Sequence, residues 1–187
     1  TKLWSGVGFR IGDMMLVTPL DHVLEILPPP PSTLVPGVKS WLKGVANVRG
    51  NLITIVDLPE YFGKPPVFLD EKARMLIMNV PGLNAGVLVN EVLGLRHFDE
   101  ELERQDLSGL DDPIVVQLNG AFLRDNVLWG VFDMKSLAES ESFRFFTLNA
   151  EIFRVCVGAV HHHIGARGRG RGGSRTCHAH YAQHTCH

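Results

Sequence analysis

Few residues of this chain are equipped for covalent or acid–base chemistry. Residues 1–150 hold two histidines, His22 and His97, and no cysteine. Neither histidine has a cysteine in that span to act on, and a serine partner cannot be argued from spacing. The same span has no G-x-S-x-G, H-E-x-x-H, P-loop or dinucleotide fingerprint. A lone histidine in a strand is ordinarily a structural or surface residue, so catalysis has little support. Cys177-His178-Ala179-His180 and His184-Thr185-Cys186-His187 could supply zinc ligands. Their spacing matches no standard finger and no core follows to orient them, so no metal site is assigned.

What the chain does offer is contact chemistry. Arg49 lies inside Lys43-Gly44-Val45-Ala46-Asn47-Val48-Arg49-Gly50-Asn51-Leu52-Ile53-Thr54-Ile55-Val56-Asp57-Leu58, between two apolar-rich runs. Gly50 takes φ > 0 without a Cβ penalty and Asn51 tolerates it, which predicts a tight turn between two short strands. Arg49 is then either a surface turn arginine or a half-buried one that an acidic side chain must satisfy, because an unpaired buried guanidinium is costly. Val23, Glu25, Ile26, Arg49, Val87 and Val89 are candidates for a groove that accepts a partner helix or strand. Each of the valines is also a plausible core residue.

The elements that would position these residues are mostly strands. Alternation predicts strands at Val7–Ile11, Met14–Leu20, His22–Leu27, Ala73–Val80 and Ala85–Val92, the last continuing through Gly94–Phe98. Three more are expected at Ile114–Leu118, Ala121–Arg124 and Val127–Phe132, with Asn119-Gly120 and Asp125-Asn126 as hairpin turns. Pro28 to Pro31 cannot donate to a ladder and reads as a stiff polyproline II connector. Short helical turns are expected within Val35–Leu42, at Pro59–Gly63 and from Met134. About ten short strands with glycine-containing turns predict an all-β protein of two small barrels, about five strands in each half of the chain. Neither barrel would bury enough surface alone, so a shared apolar interface is expected.

Charge divides the chain. Of 18 basic and 20 acidic residues, residues 151–187 carry five and one, leaving −6 for residues 1–150 and +4 for the remainder. A net negative body argues against nucleic-acid binding there. No apolar run approaches the roughly 20 residues that span a bilayer, so no direct membrane insertion is expected. Residues 149–187 form an atypical Gly/Arg/His/Cys-rich tail, read as unstructured, frame-shifted or a cloning scar. Its Arg/Gly run, Gly165 to Gly173, resembles an RGG segment, and RNA binding through it is the alternative reading of function.

Several separated pieces carry a resemblance. Gly44-Val45-x-Asn47-Val48-Arg49-Gly50, Ile53-x-Ile55-Val56-Asp57-Leu58, Phe62-Gly63, Val23-x-Glu25-Ile26-Leu27 and Gly86-x-x-Val89-x-x-Val92-Leu93 occur in the order seen in CheW-like coupling proteins. Residues 3–148 are covered, and the wording from Leu34 to Gly50 resembles the PilI-type members of pilus and twitching-motility chemosensory systems. The resemblance implies two SH3-like five-stranded barrels on a shared apolar interface, no catalysis and no cofactor. It implies a cytoplasmic adaptor at membrane-associated receptor arrays. Its partners would be the regulatory domain of a CheA-type histidine kinase and the cytoplasmic tip of a chemoreceptor, with no small-molecule substrate. Partner contacts would map to Val23, Glu25, Ile26, Arg49, Val87 and Val89, and the turn framework to Gly44, Asn47, Gly50 and Asp57. A Glu25–Arg49 pair is expected. Two departures stand out: Thr54 and Ile55 stand where the family often has a proline before the valine, and Asn90 replaces a frequent Asp.

Overall fold

The computed structural model describes residues 2–35 and 38–150. The candidate zinc ligands and the Arg/Gly run lie outside the described residues. Eleven strands carry the fold: β1 (Leu3–Ile11), β2 (Met14–Pro19), β3 (Val23–Leu27), β4 (Leu42–Val48), β5 (Asn51–Asp57), β6 (Arg74–Met78), β7 (Ala85–Val89), β8 (Glu91–Asp99), β9 (Arg104–Gln105), β10 (Leu118–Arg124) and β11 (Val127–Phe132). Two short helices join them, α1 (Leu58–Tyr61) and α2 (Met134–Glu139). Residues 141–150 form a third helix, α3.

The strands divide by sheet and not by half of the chain. One sheet has six strands in the order β8-β1-β2-β11-β10-β9, and the other five in the order β3-β6-β7-β5-β4. The chain therefore begins in the first sheet, builds the whole of the second, and returns to complete the first. The parallel pairing of β2 with β11 follows from that return path, and β5 pairs parallel with β7 because β6 intervenes between them in the chain.

Period-two alternation is used twice in each sheet. In the five-stranded sheet Ile53, Ile55, Met75, Ile77 and Leu88 face one apolar cluster with Ala46, Val67 and Ala73. Their neighbours Val56, Leu76, Met78, Val87 and Val89 face a larger cluster that also takes Phe9, Ile11, Leu16, Leu118 and Phe132 from the other sheet. On the far side of the six-stranded sheet Val17, Phe98, Phe122, Trp129 and Val131 make a third. Both faces of each sheet are thus apolar, which is why so many strands read as continuous hydrophobic runs. The middle cluster is the shared interface expected of two small subdomains.

Four local expectations are corrected. The segment 114–118 is a 3-10 turn over Pro113–Gln117, because Asp112 accepts from the Ile114 amide at 3.0 Å and Pro113 opens the turn. Asn119-Gly120 is a bulge within β10, with the register shifting between Leu118 and Ala121. The stretch before β4 is a turn closed by the Leu42 amide on the Lys39 carbonyl, and Leu42 itself starts the strand. Helix α3 was not foreseen. It runs through positions 148 and 149, where the tail was expected to begin, and it buries Phe143, Phe146, Thr147 and Ala150 against the shared cluster. Trp41 meets Phe143 in a stack at 6.5 Å and Phe146 edge-on at 5.6 Å.

Candidate functional site

Val48 pairs with Asn51, so the β4–β5 hairpin turns on two residues, Arg49 and Gly50, at φ of 51° and 86°. Positive φ at both central positions is the geometry that matches strand twist in a two-residue loop. Asn51 is already the first residue of β5, and the left-handed position falls on Arg49 instead. The Gly50 amide donates to Asn47 Oδ1 at 2.8 Å, which sets the turn from the preceding strand. At Gly44, φ is 145° and a Cβ would stand 2.2 Å from the Thr33 carbonyl oxygen, so a side chain there is excluded. Thr33 and Val45 exchange two backbone hydrogen bonds at 3.0 Å across that contact.

This turn throws the Arg49 side chain outward, leaving it 76% exposed, and Glu25 meets it with both oxygens, at 2.6 and 2.8 Å. Glu25 lies on β3 and Arg49 at the end of β4, the two opposite edges of the five-stranded sheet. The pair can form because the sheet curls until those edges approach. The guanidinium fork matches a carboxylate in two parallel bonds, so the contact fixes orientation more than it adds stability.

Strand β3 is the exposed element beside that pair. Leu24 and Ile26 are 68% and 41% exposed, while Val23, Glu25 and Leu27 are half-buried. One side of β3 pairs with β6, and among the described residues the other has no strand neighbour. A groove of about 570 Å³ runs from here to the β6–β7 turn, lined among others by Leu24, Glu25, Arg49, Asn51, Pro81 and Leu83. Leu24 was missed in the sequence reading. Its spacing of two from Ile26 was the available signal.

Val87 and Val89 do not join this surface. Strand β7 is the centre of its sheet, hydrogen-bonded to β6 on one side and β5 on the other, and both valines are fully buried in the shared cluster. As placed they are core residues. Asn90 also turns away from a contact role: its Oδ1 accepts the Gly12 amide at 2.8 Å and holds the β1–β2 turn.

Asp57 closes the framework at the far end of β5. Its Oδ1 accepts from the Glu60 amide at 3.0 Å as the N-cap of α1, and its Oδ2 from the Val67 amide at 2.8 Å. Burial raises its pKa above the ordinary carboxylate value; the two amides and nearby Lys43 oppose that, and Glu60 adds to it. Lys43 pairs with Glu60 next to it. The histidines occupy separate places. His97 faces Ser5 across the β1–β8 ladder, with Nδ1 and Oγ 2.6 Å apart. His22 sits buried in the 3-10 turn Leu20–His22 between β2 and β3.

Two SH3-like subdomains thus share a common core, and a salt-bridged edge strand flanks a groove on one of them. Residues 5–142 match the CheW-like domain, and the chain belongs to that family. It is 39% identical over 140 residues to Protein PilI of Pseudomonas aeruginosa, covering 75% of this chain and 78% of that relative. Against the chemotaxis protein CheW of Thermotoga maritima it is 25% identical over 139 residues, covering 74% and 89%. Among solved structures, the scaffolding protein TtCheW from Thermoanaerobacter tengcongensis superposes with a TM-score of 0.64 at 20% identity, over 75% of this chain and 96% of that one. That likeness establishes the fold. The family match ends at residue 142, so most of α3 lies beyond it.

Proposed function

We infer that this protein is a non-catalytic adaptor that couples chemoreceptor tips to a CheA-type histidine kinase, in a chemosensory system controlling type IV pili. Family membership supports the class, and the similarity to PilI supports the pilus system. The observation that carries a docking role is β3: an edge strand with two exposed aliphatic side chains, one side free of strand partners among the described residues, and a neighbouring arginine held by Glu25. Partner contacts are assigned to Val23, Leu24, Glu25, Ile26 and Arg49. Apolar anchors on a rigid strand, ringed by oriented charge, suit a partner that adds main-chain hydrogen bonds or lays an apolar stripe on the edge. Among the described residues no helix is long and apolar enough to cross a membrane. Placement at a receptor array would follow from binding the receptor.

Isothermal titration against the regulatory domain of the cognate kinase, and separately against a receptor-tip fragment, tests the reading. Wild-type protein should bind at least one of them, and Val23→Asp and Leu24→Asp should weaken that binding about tenfold or more. A wild type that binds neither, or variants that bind as tightly as wild type, would refute it.

A further inference from the structure

His22 is placed where the two subdomains are stitched together. The 3-10 turn Leu20–His22 carries the chain from β2 of one sheet into β3 of the other. The Asn79 amide donates to the His22 carbonyl at 2.9 Å, and Asn79 Nδ2 to the Asp21 carbonyl at 2.8 Å, fastening that turn to the end of β6. The ring reaches the other way. His22 Nδ1 is buried, makes no hydrogen bond among the described residues, and stops 3.8 Å from Asp133 Oδ1. Asp133 follows β11 and is the N-cap of α2: its Oδ1 accepts the Lys135 and Ser136 amides, each at 3.0 Å, and its Oδ2 accepts Asn119 Nδ2 at 2.8 Å. Two further charges face the ring, Asp21 on its own turn and Lys135 on α2, and these approach each other to 3.5 Å.

A buried nitrogen with no partner, one short movement from a carboxylate, is an arrangement with two solutions. While the ring is neutral the gap stands open and Asp133 serves the α2 cap and Asn119 on β10. A proton on Nδ1 turns the same atom into a charged donor, which must either find Asp133 or leave the interior. Closing the gap gives Oδ1 a third donor in competition with the two amides of the α2 cap. It also pulls on the residue immediately before Val23, the first of the exposed edge strand.

We propose that His22 and Asp133 form a proton-responsive clasp between the two subdomains, which links the N-terminal turn of α2 to the pose of β3. Burial holds the His22 pKa below the usual histidine range; Asp133 and Asp21 pull it up, and Lys135 opposes them. The clasp is therefore open at neutral pH and closes on mild acidification.

The test is a backbone-amide NMR titration of the full chain between pH 8 and pH 5, with no partner present, so its outcome is separate from the adaptor reading. In wild type the amides of Val23 to Glu25 and those of Lys135 and Ser136 should shift together, with one midpoint below the usual histidine value of about 6.5. His22→Phe should abolish the coupled shift. Asp133→Asn keeps a competent N-cap and should lower the midpoint by about one pH unit, because the attracting charge is gone. Different midpoints for β3 and α2, a transition that survives His22→Phe, or a midpoint unmoved in Asp133→Asn would each overturn the clasp. If His22→Phe does not fold, Asp133→Asn alone decides the matter.

Discussion

Strands β3 and β7 belong to the same sheet, carry the same kinds of aliphatic side chain, and are placed in opposite ways. In β3 the aliphatic residues Leu24 and Ile26 face outward on a strand with one open edge, and in β7 Val87 and Val89 are sealed between two neighbouring strands and the second sheet. Residue type does not separate the two. Position in the strand order does: β7 pairs antiparallel with β6 and parallel with β5, a placement that arises because the chain crosses over before adding it. An edge strand must manage its open side, and here it does so with Glu25, whose carboxylate is drawn to Arg49. The open edge and the charged residue beside it therefore belong to one surface.

The contrast breaks most visibly at Val87. A Val87→Asp substitution places a carboxylate in the shared cluster with no polar partner, and the cost should be about 4 kcal/mol or more, enough to abolish cooperative unfolding in urea. Leu24→Asp, two strands away in the same sheet, should leave the unfolding free energy from urea titration within about 0.5 kcal/mol of wild type. If Val87→Asp folds normally and loses partner binding, β7 is a contact strand after all.

The two carboxylates of this sheet divide in the same way. Asp57 is 1% exposed and holds two backbone amides from different segments, so Asp57→Ala should cost about 2–3 kcal/mol in chemical denaturation. Its raised pKa gives the pH dependence a sign. The folded state holds the Asp57 proton more tightly than the unfolded chain, so the contribution is fully present below the ordinary carboxylate value. It declines as pH rises through the raised one. Asn cannot titrate, so the stability of wild type relative to Asp57→Asn should fall with rising pH across that window. A flat or rising difference would contradict the assigned burial.

Much of this architecture is legible in the sequence because alternation is a local signal. The Asp125-Asn126 turn is an example: both residues have positive φ, as a two-residue hairpin needs, and Val127 pairs with Arg124 as expected. The Glu25–Arg49 pair was legible through the family resemblance. For Val87 the sequence left groove and core both open, and the core reading holds; two sheets with both faces covered erase the polar alternation that would have decided between them. Helix α3 escaped for a different reason. Its buried positions 143, 146, 147 and 150 do have helical spacing, but the run opens among the polar residues Ser140, Glu141, Ser142 and Arg144 and stands just before a compositionally foreign tail. Trp41 and Tyr61, far earlier in the chain, supply the surface that makes this helix worth forming.

The smallest expected effect lies at the Glu25–Arg49 pair itself. Arg49 is mostly exposed, so water and salt screen the attraction even though the geometry is bidentate. A double-mutant cycle with Glu25→Ala and Arg49→Ala should give a coupling of at most about 1 kcal/mol in folding stability, shrinking as salt is raised. Binding should respond differently. With Glu25 removed, Arg49 is free to swing and β3 loses its tie to the opposite edge of the sheet, so either single variant should weaken partner binding several-fold with hardly any change in unfolding midpoint. A coupling near 3 kcal/mol would instead make the pair a structural fastener of the curled sheet. Weakened binding in Arg49→Ala would then report a deformed subdomain, and the distinction between the open edge β3 and the sealed strand β7 would be one of degree.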